Sequence, residues 1–158
     1  MKTILLPVDF SEKSEYLIDK VADFAKDIQA KIYLIHVAPL DIGFAIGDMG
    51  FRYFPEVEES ELKEELLALK KFEERILNKN VECDHLLKQG DPSDIILSYA
   101  REINADYIAI GSHGRSGMYD LFIGSLTKAI TRRAQRPVLV IPINEKNLSS
   151  KENSAIDD

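Results

Sequence analysis

Residues 106–134 read DYIAIGSHGRSGMYDLFIGSLTKAITRRA, and the fold of the chain turns on this stretch. Asp106–Ile110 is a short apolar run with the look of a buried strand. From about Ser125 to Ala134 the sequence predicts a helix, with Leu126, Ile130 and Ala134 on its inner face. Between them lies a loop rich in glycine and hydroxyl residues. Gly111, Gly114 and Gly124 stand at the spacing G-x2-G-x9-G, and Ser125 follows at once. Such a strand, loop and helix can hold a phosphate group. Glycine lets the backbone approach an anion, and the first N–H groups of a helix have no acceptor within it. The helix dipole favours negative charge at the same place. The loop is not a Walker A motif, because no Gly-Lys-Ser/Thr closes it, and it is not G-x-G-x-x-G. Glycines are also common at ordinary strand ends, so the spacing alone leaves a structural role open.

Local charge favours the anion. From Gly111 to Arg136 there are five basic residues (Arg115, Lys128, Arg132, Arg133, Arg136) against one acid, Asp120, a local charge of +4 on a chain of −7. A cationic helix entrance on an acidic protein suits a polyphosphate. The three arginines at the far end equally complement a helix C-terminus.

Outward from this unit, the chain alternates strands and helices. Lys2–Asp9, Lys31–Val37, Val81–Leu87 and Pro137–Ile141 read as four further strands, Val81–Leu87 being the weakest. Ser11 is the expected N-cap of a first helix with Leu17, Val21, Phe24, Ala25 and Ile28 on one face. A second helix begins near Glu56, with Leu62, Leu66, Leu69, Phe72 and Ile76 inside. Gly90, Asp91 and Pro92 supply a turn, a cap and a first helical residue for a third. Leu40–Pro55 has three glycines and many apolar residues but no period. A loop of that length covers a ligand, meets a protein partner or packs on its own domain. Five strands alternating with four helices predict a parallel sheet covered on both faces. In such sheets ligands sit at the C-terminal edge, where strand order reverses. Gly111 and Asp9 both leave strands at that edge.

The chain of 158 residues is enough for one domain with a substantial core. Its acidity argues against nucleic acid as a partner. Cys83 is the lone cysteine, which excludes an internal disulfide and a cysteine metal site. No apolar run reaches the ~20 residues of a membrane span, and the N-terminal run is too short for a signal peptide. A cytoplasmic protein without membrane contact is expected. After Pro142 the sequence turns polar and is expected to fray.

The glycine spacing with Ser125 resembles the nucleotide-binding motif of the universal stress protein family. ILLPVDFSE at the N-terminus, IHV at the second strand, GDP before the third helix, GSHG and RPVLVIP extend the likeness from Lys2 to Pro142. The resemblance implies a single domain over residues 1–143 with a flexible tail over 144–158. It implies a five-stranded parallel sheet of order 3-2-1-4-5, with helices on both faces, Rossmann-like and of the adenine nucleotide alpha hydrolase type. It also implies ATP as ligand. Pro7, Val8 and Asp9 would then line the adenine and ribose side, and Val37 would touch adenine. Ile110, Gly111 and Gly114 would form the near wall, and Gly124, Ser125 and Leu126 would hold phosphates. A homodimer through the last strand, Pro137–Ile141, is likewise implied. Gly117, inside the nine-residue insert, and the apolar character of Leu40–Pro55 depart from the family pattern.

Asp9 is expected to contact the ribose or a Mg2+ ion accompanying ATP, the other reading being a helix cap. Ser125 is expected to bind phosphate, to cap its helix, or both in turn. His113 and Arg115 can steer phosphate or stand in solvent. His36, within an apolar strand, is expected to be a satisfied core histidine. Gln89 and Asp91 are explained by turn chemistry. The function expected is a nucleotide-dependent regulatory module. The alternatives are a slow ATPase or phosphotransferase using Arg115, Lys128 and Asp9, and a dimeric scaffold that binds a protein through Leu40–Pro55.

Overall fold

The computed structural model describes residues 1–39, 55–113 and 123–144, together with 146 and 148. The Leu40–Pro55 expectation falls outside them except for Pro55, as do Gly114, Arg115 and Gly117. The elements run β1 (Lys2–Pro7), α1 (Ser14–Asp27), β2 (Ala30–Ala38), α2 (Pro55–Leu77), β3 (Cys83–Gln89), α3 (Pro92–Glu102), β4 (Tyr107–Gly111), α4 (Ser125–Arg133) and β5 (Val138–Ile141). The sheet order is β3-β2-β1-β4-β5, and every pairing is parallel. It is the expected Rossmann-like sheet.

The continuous apolar runs in the strands follow from burial on both faces. Ile4 and Leu6 of β1 join Ile32, Leu34 and Ala109 in a core closed by Val21 and Ala25 of α1 and Leu69 and Ile76 of α2. Leu5 points the other way, into a core with Ile35, Ile108 and Ile110, closed by Ile96 and Ala100 of α3 and Ile130 of α4. Burying each such aliphatic side chain contributes roughly 1.5–3 kcal/mol. The helices on one face are also bridged by charge: Arg75 donates to both carboxylate oxygens of Asp19, at 2.7 and 2.9 Å.

Strand limits differ from the expected ones where pairing, rather than apolar content, sets them. β3 begins at Cys83, not Val81, because its register with β2 starts at Ile32 opposite Cys83. Asn80, with φ 61°, turns the chain just before. Cys83 is buried, and burial pushes its thiol up to about 12, as for a packing residue. Ile143, directly after Pro142, is only 1% exposed. Among the described residues, no helix is long and apolar enough to cross a membrane.

Candidate functional site

A cavity of about 320 Å³ opens at the C-terminal edge of the sheet, between β1 and β4. Strand order reverses there: β1 leads outward to β2 and β3 on one side, and β4 leads to β5 on the other. Pro7, Val8, Asp9, Val37, Ile110, Gly111, Gly124, Ser125 and Leu126 all line it. The structure thus gathers nine of the ten residues singled out from sequence. The tenth, Gly114, lies outside the described residues.

The turn after β1 is organised by Asp9. Its Oδ1 accepts the Ser11 N–H at 3.0 Å and the Ser14 hydroxyl at 3.2 Å. Ser11 is therefore not the N-cap expected. Lys13 occupies that position without a side-chain cap bond, and the helix starts at Ser14. The carboxylate two residues upstream takes over the polar bonding of the turn. Phe10, next to it, has φ 60°, a left-handed conformation unusual for a bulky side chain. Ring contacts fix it, with centroids 4.3 Å from His36 and 5.7 Å from Phe72.

His36 is buried, and its Nδ1–H donates to the Val8 carbonyl at 2.7 Å, as a satisfied core histidine should. Its ring also forms part of the cavity wall. Its Nε2 lies 3.8 Å from Oε2 of Glu65. Lys13, 5% exposed, adds a buried cation to the wall.

The far side is built on the stem of the glycine loop. The Gly124 N–H donates to the Ser112 carbonyl at 2.8 Å, and the Thr127 hydroxyl donates to the Gly111 carbonyl at 2.6 Å. These bonds tie the start of α4 to the end of β4. Gly124 is the N-cap, with no side-chain cap bond, so Ser125 is the first helical residue and not the cap. Its side chain is exposed at the cavity. The amides of Ser125, Leu126 and Thr127 form the first turn, where helix geometry supplies no acceptor. Ser14, Pro92 and Ser125, the first residues of α1, α3 and α4, all line the cavity. Three helix dipoles therefore present their positive ends to one space.

Sequence reasoning did not place Lys13, Thr127 or Ile143 in the cavity wall. Thr127 had a local signal, a hydroxyl on the helix turn that follows Gly124-Ser125. Ile143 had none, because the return of the chain after β5 brings it back.

The family model described as the universal stress protein family matches residues 1–142. The chain belongs to this family. Among relatives, the universal stress protein MJ0577 of Methanocaldococcus jannaschii is 29% identical over 152 residues, covering 89% of this chain and 94% of that one. A solved structure of MJ0577 superimposes with a TM-score of 0.71 at 25% identity, covering 91% of this chain and 97% of that chain. The fold also matches a universal stress protein in complex with cAMP (TM-score 0.64, 20% identity, 89% and 96% coverage). Another match is an Archaeoglobus fulgidus universal stress protein in complex with dAMP (TM-score 0.62, 22% identity, 89% and 98% coverage).

Proposed function

We propose that this universal stress protein binds an adenine nucleotide, ATP with Mg2+, in the β1–β4 cavity and acts as a nucleotide-dependent regulatory module in the stress response. The observation that carries the reading is the convergence of three helix N-termini with the bonded stem of the glycine loop on one cavity at the switch point. Val8, Val37, Ile110 and Leu126 offer apolar walls to an adenine ring. Asp9 offers a carboxylate to ribose hydroxyls, and Lys13 adds positive charge. The first-turn amides of α4 take phosphate. The cAMP and dAMP complexes of family members support the adenine part of the assignment.

Among the described residues no group of three metal-ligating side chains occurs, and Asp9 is the one carboxylate among the described cavity-lining residues. That donor set fits Mg2+ held mainly by nucleotide phosphates and water, with Asp9 as the protein's contribution. Occupancy acts on partners only through a difference in affinity between two conformations.

The test is calorimetric titration of nucleotide-free protein with ATP, AMP and adenosine. ATP is expected to bind tighter than adenosine. Gly124→Val, placed at the cap of α4, is expected to weaken ATP by at least about tenfold, or 1.4 kcal/mol, with adenosine changed far less. Unchanged ATP affinity in the folded variant would remove α4 from the assignment.

A further inference from the structure

Asp9 stands between two residues that His36 holds. Pairing of β1 with β2 ends at Pro7, opposite Ile35. Just past that point, Val8 is tied to β2 by two bonds. Its N–H donates to the Ile35 carbonyl at 2.9 Å, and its carbonyl accepts from His36 Nδ1 at 2.7 Å. A carbonyl only accepts, so Nδ1 carries the hydrogen. Nε2 stands 3.8 Å from Glu65 Oε2, longer than a hydrogen bond, so the directional tie of the ring is the one to Val8. On the other side of Asp9, the Phe10 ring centroid lies 4.3 Å from that of His36. Phe10 has φ 60°, and a backbone of this kind persists only where its surroundings hold it. The imidazole, buried and on the cavity wall, thus fixes both the peptide that enters Asp9 and the side chain that follows it.

We propose that His36 is a positioning residue of the nucleotide site, holding the Asp9 carboxylate where it meets the ribose hydroxyls. The proposal rests on the nucleotide reading above. The Val8 carbonyl lies in the plane of the peptide that leads into Asp9, so its bond to the ring sets the direction in which Asp9 starts. A hydrogen bond to a hydroxyl depends steeply on distance and angle, so a carboxylate on a loosened turn binds less well although it is still present. Removing the Nδ1 donor takes the side-chain partner from the Val8 carbonyl and frees that peptide to turn. The phosphate end has separate anchors, the Thr127 bond to Gly111 and the Gly124 bond to Ser112. The loss therefore falls on the ribose hydroxyls. A histidine that merely filled the core would weaken every nucleotide alike.

The experiment compares ATP with dideoxy-ATP, which lacks both ribose hydroxyls, by calorimetry. The two share adenine and triphosphate, so their affinity ratio reads the ribose hydroxyls alone. The native protein is expected to prefer ATP by about tenfold. His36→Phe keeps a ring against Phe10 without an N–H donor, and is expected to lower that preference about fivefold. His36→Asn restores a donor near the place of Nδ1 and is expected to keep the preference within about twofold of native. Phe10→Leu removes the ring contact at a half-buried position and is expected to lower it about threefold. Leu34→Val, on the same face of β2, is the packing control and is expected to leave it within about 1.5-fold. Equal losses of both ligands in His36→Phe, or an unchanged preference in it, would overturn the proposal while leaving the nucleotide site standing. Phe10→Leu decides by the same criteria if His36→Phe does not fold. Equal affinity of the native protein for the two nucleotides would also overturn it, by removing Asp9 from the ribose. Absence of binding by the native protein would overturn the nucleotide reading, and the role of His36 with it.

Discussion

Asp106 sits where β4 begins, and its carboxylate accepts the Thr3 N–H at 2.9 Å and the Lys2 ammonium at 3.1 Å. The Thr3 N–H bond, followed by Lys2, holds its carboxyl below the usual carboxylate range. A lowered native value means the stabilisation is present above the unfolded value of about 3.9 and is lost as pH falls through the native one. Asp106→Asn is therefore expected to be less stable at neutral pH and to lose less further stability below about pH 4 than the native protein. Urea unfolding across a pH series reads this, and parallel curves for the two proteins would contradict it. Residues of this kind divide by how they reach their neighbours. Asp9, Gly111 and Gly124 each lie beside an element end, so sequence spacing was enough to pick them out. Ser11 was misread because residue type alone makes it a good cap, whereas the Asp9 carboxylate competes for the same turn. Lys13 reaches the wall by the geometry of the turn before α1, and Ile143 by the return of the chain. Neither route leaves a local signal.

The helix starts show the same division among elements. α3 opens as its sequence dictates. Gly90 takes φ 140°, Asp91 accepts the Asp94 N–H at 3.0 Å, and Pro92 fills the first turn. Asp91→Ala removes that cap and is expected to destabilise the start of α3, seen as a lower Tm. An unchanged Tm would mean that the contacts of Arg133 with Ser93 and Asp94 fix the helix start alone. α4 differs, for its cap is a glycine with no side-chain bond, and its position comes from the bonds to Gly111 and Ser112. A helix held by its neighbours rather than by its own cap leaves its first amides for a ligand. Strand limits were the less legible feature, because apolar content marks a strand while its pairing partner decides where it starts. β3 is the clear case.

At the scale of the whole molecule, the alternation of apolar runs with amphipathic helices was enough to read a parallel sheet with two covered faces. Strand order was not in the periodicity; the family resemblance carried it. That order places β5 at an edge, with Val138–Ile141 half-buried in the single chain. An unpaired apolar edge is a liability that pairing with a second copy removes. Sedimentation equilibrium is expected to find a homodimer, and a monomer at all concentrations would contradict pairing through β5. The order also puts the crossover of strand sequence between β1 and β4, and the central claim is that an adenine nucleotide lies there. The most direct measurement is a crystal structure grown with ATP and Mg2+. The account predicts density in the β1–β4 cavity, with the base against Val37 and phosphate oxygens within hydrogen-bonding distance of the Ser125–Thr127 amides. An empty cavity at saturating ATP, or a nucleotide whose phosphates point away from α4, would contradict it.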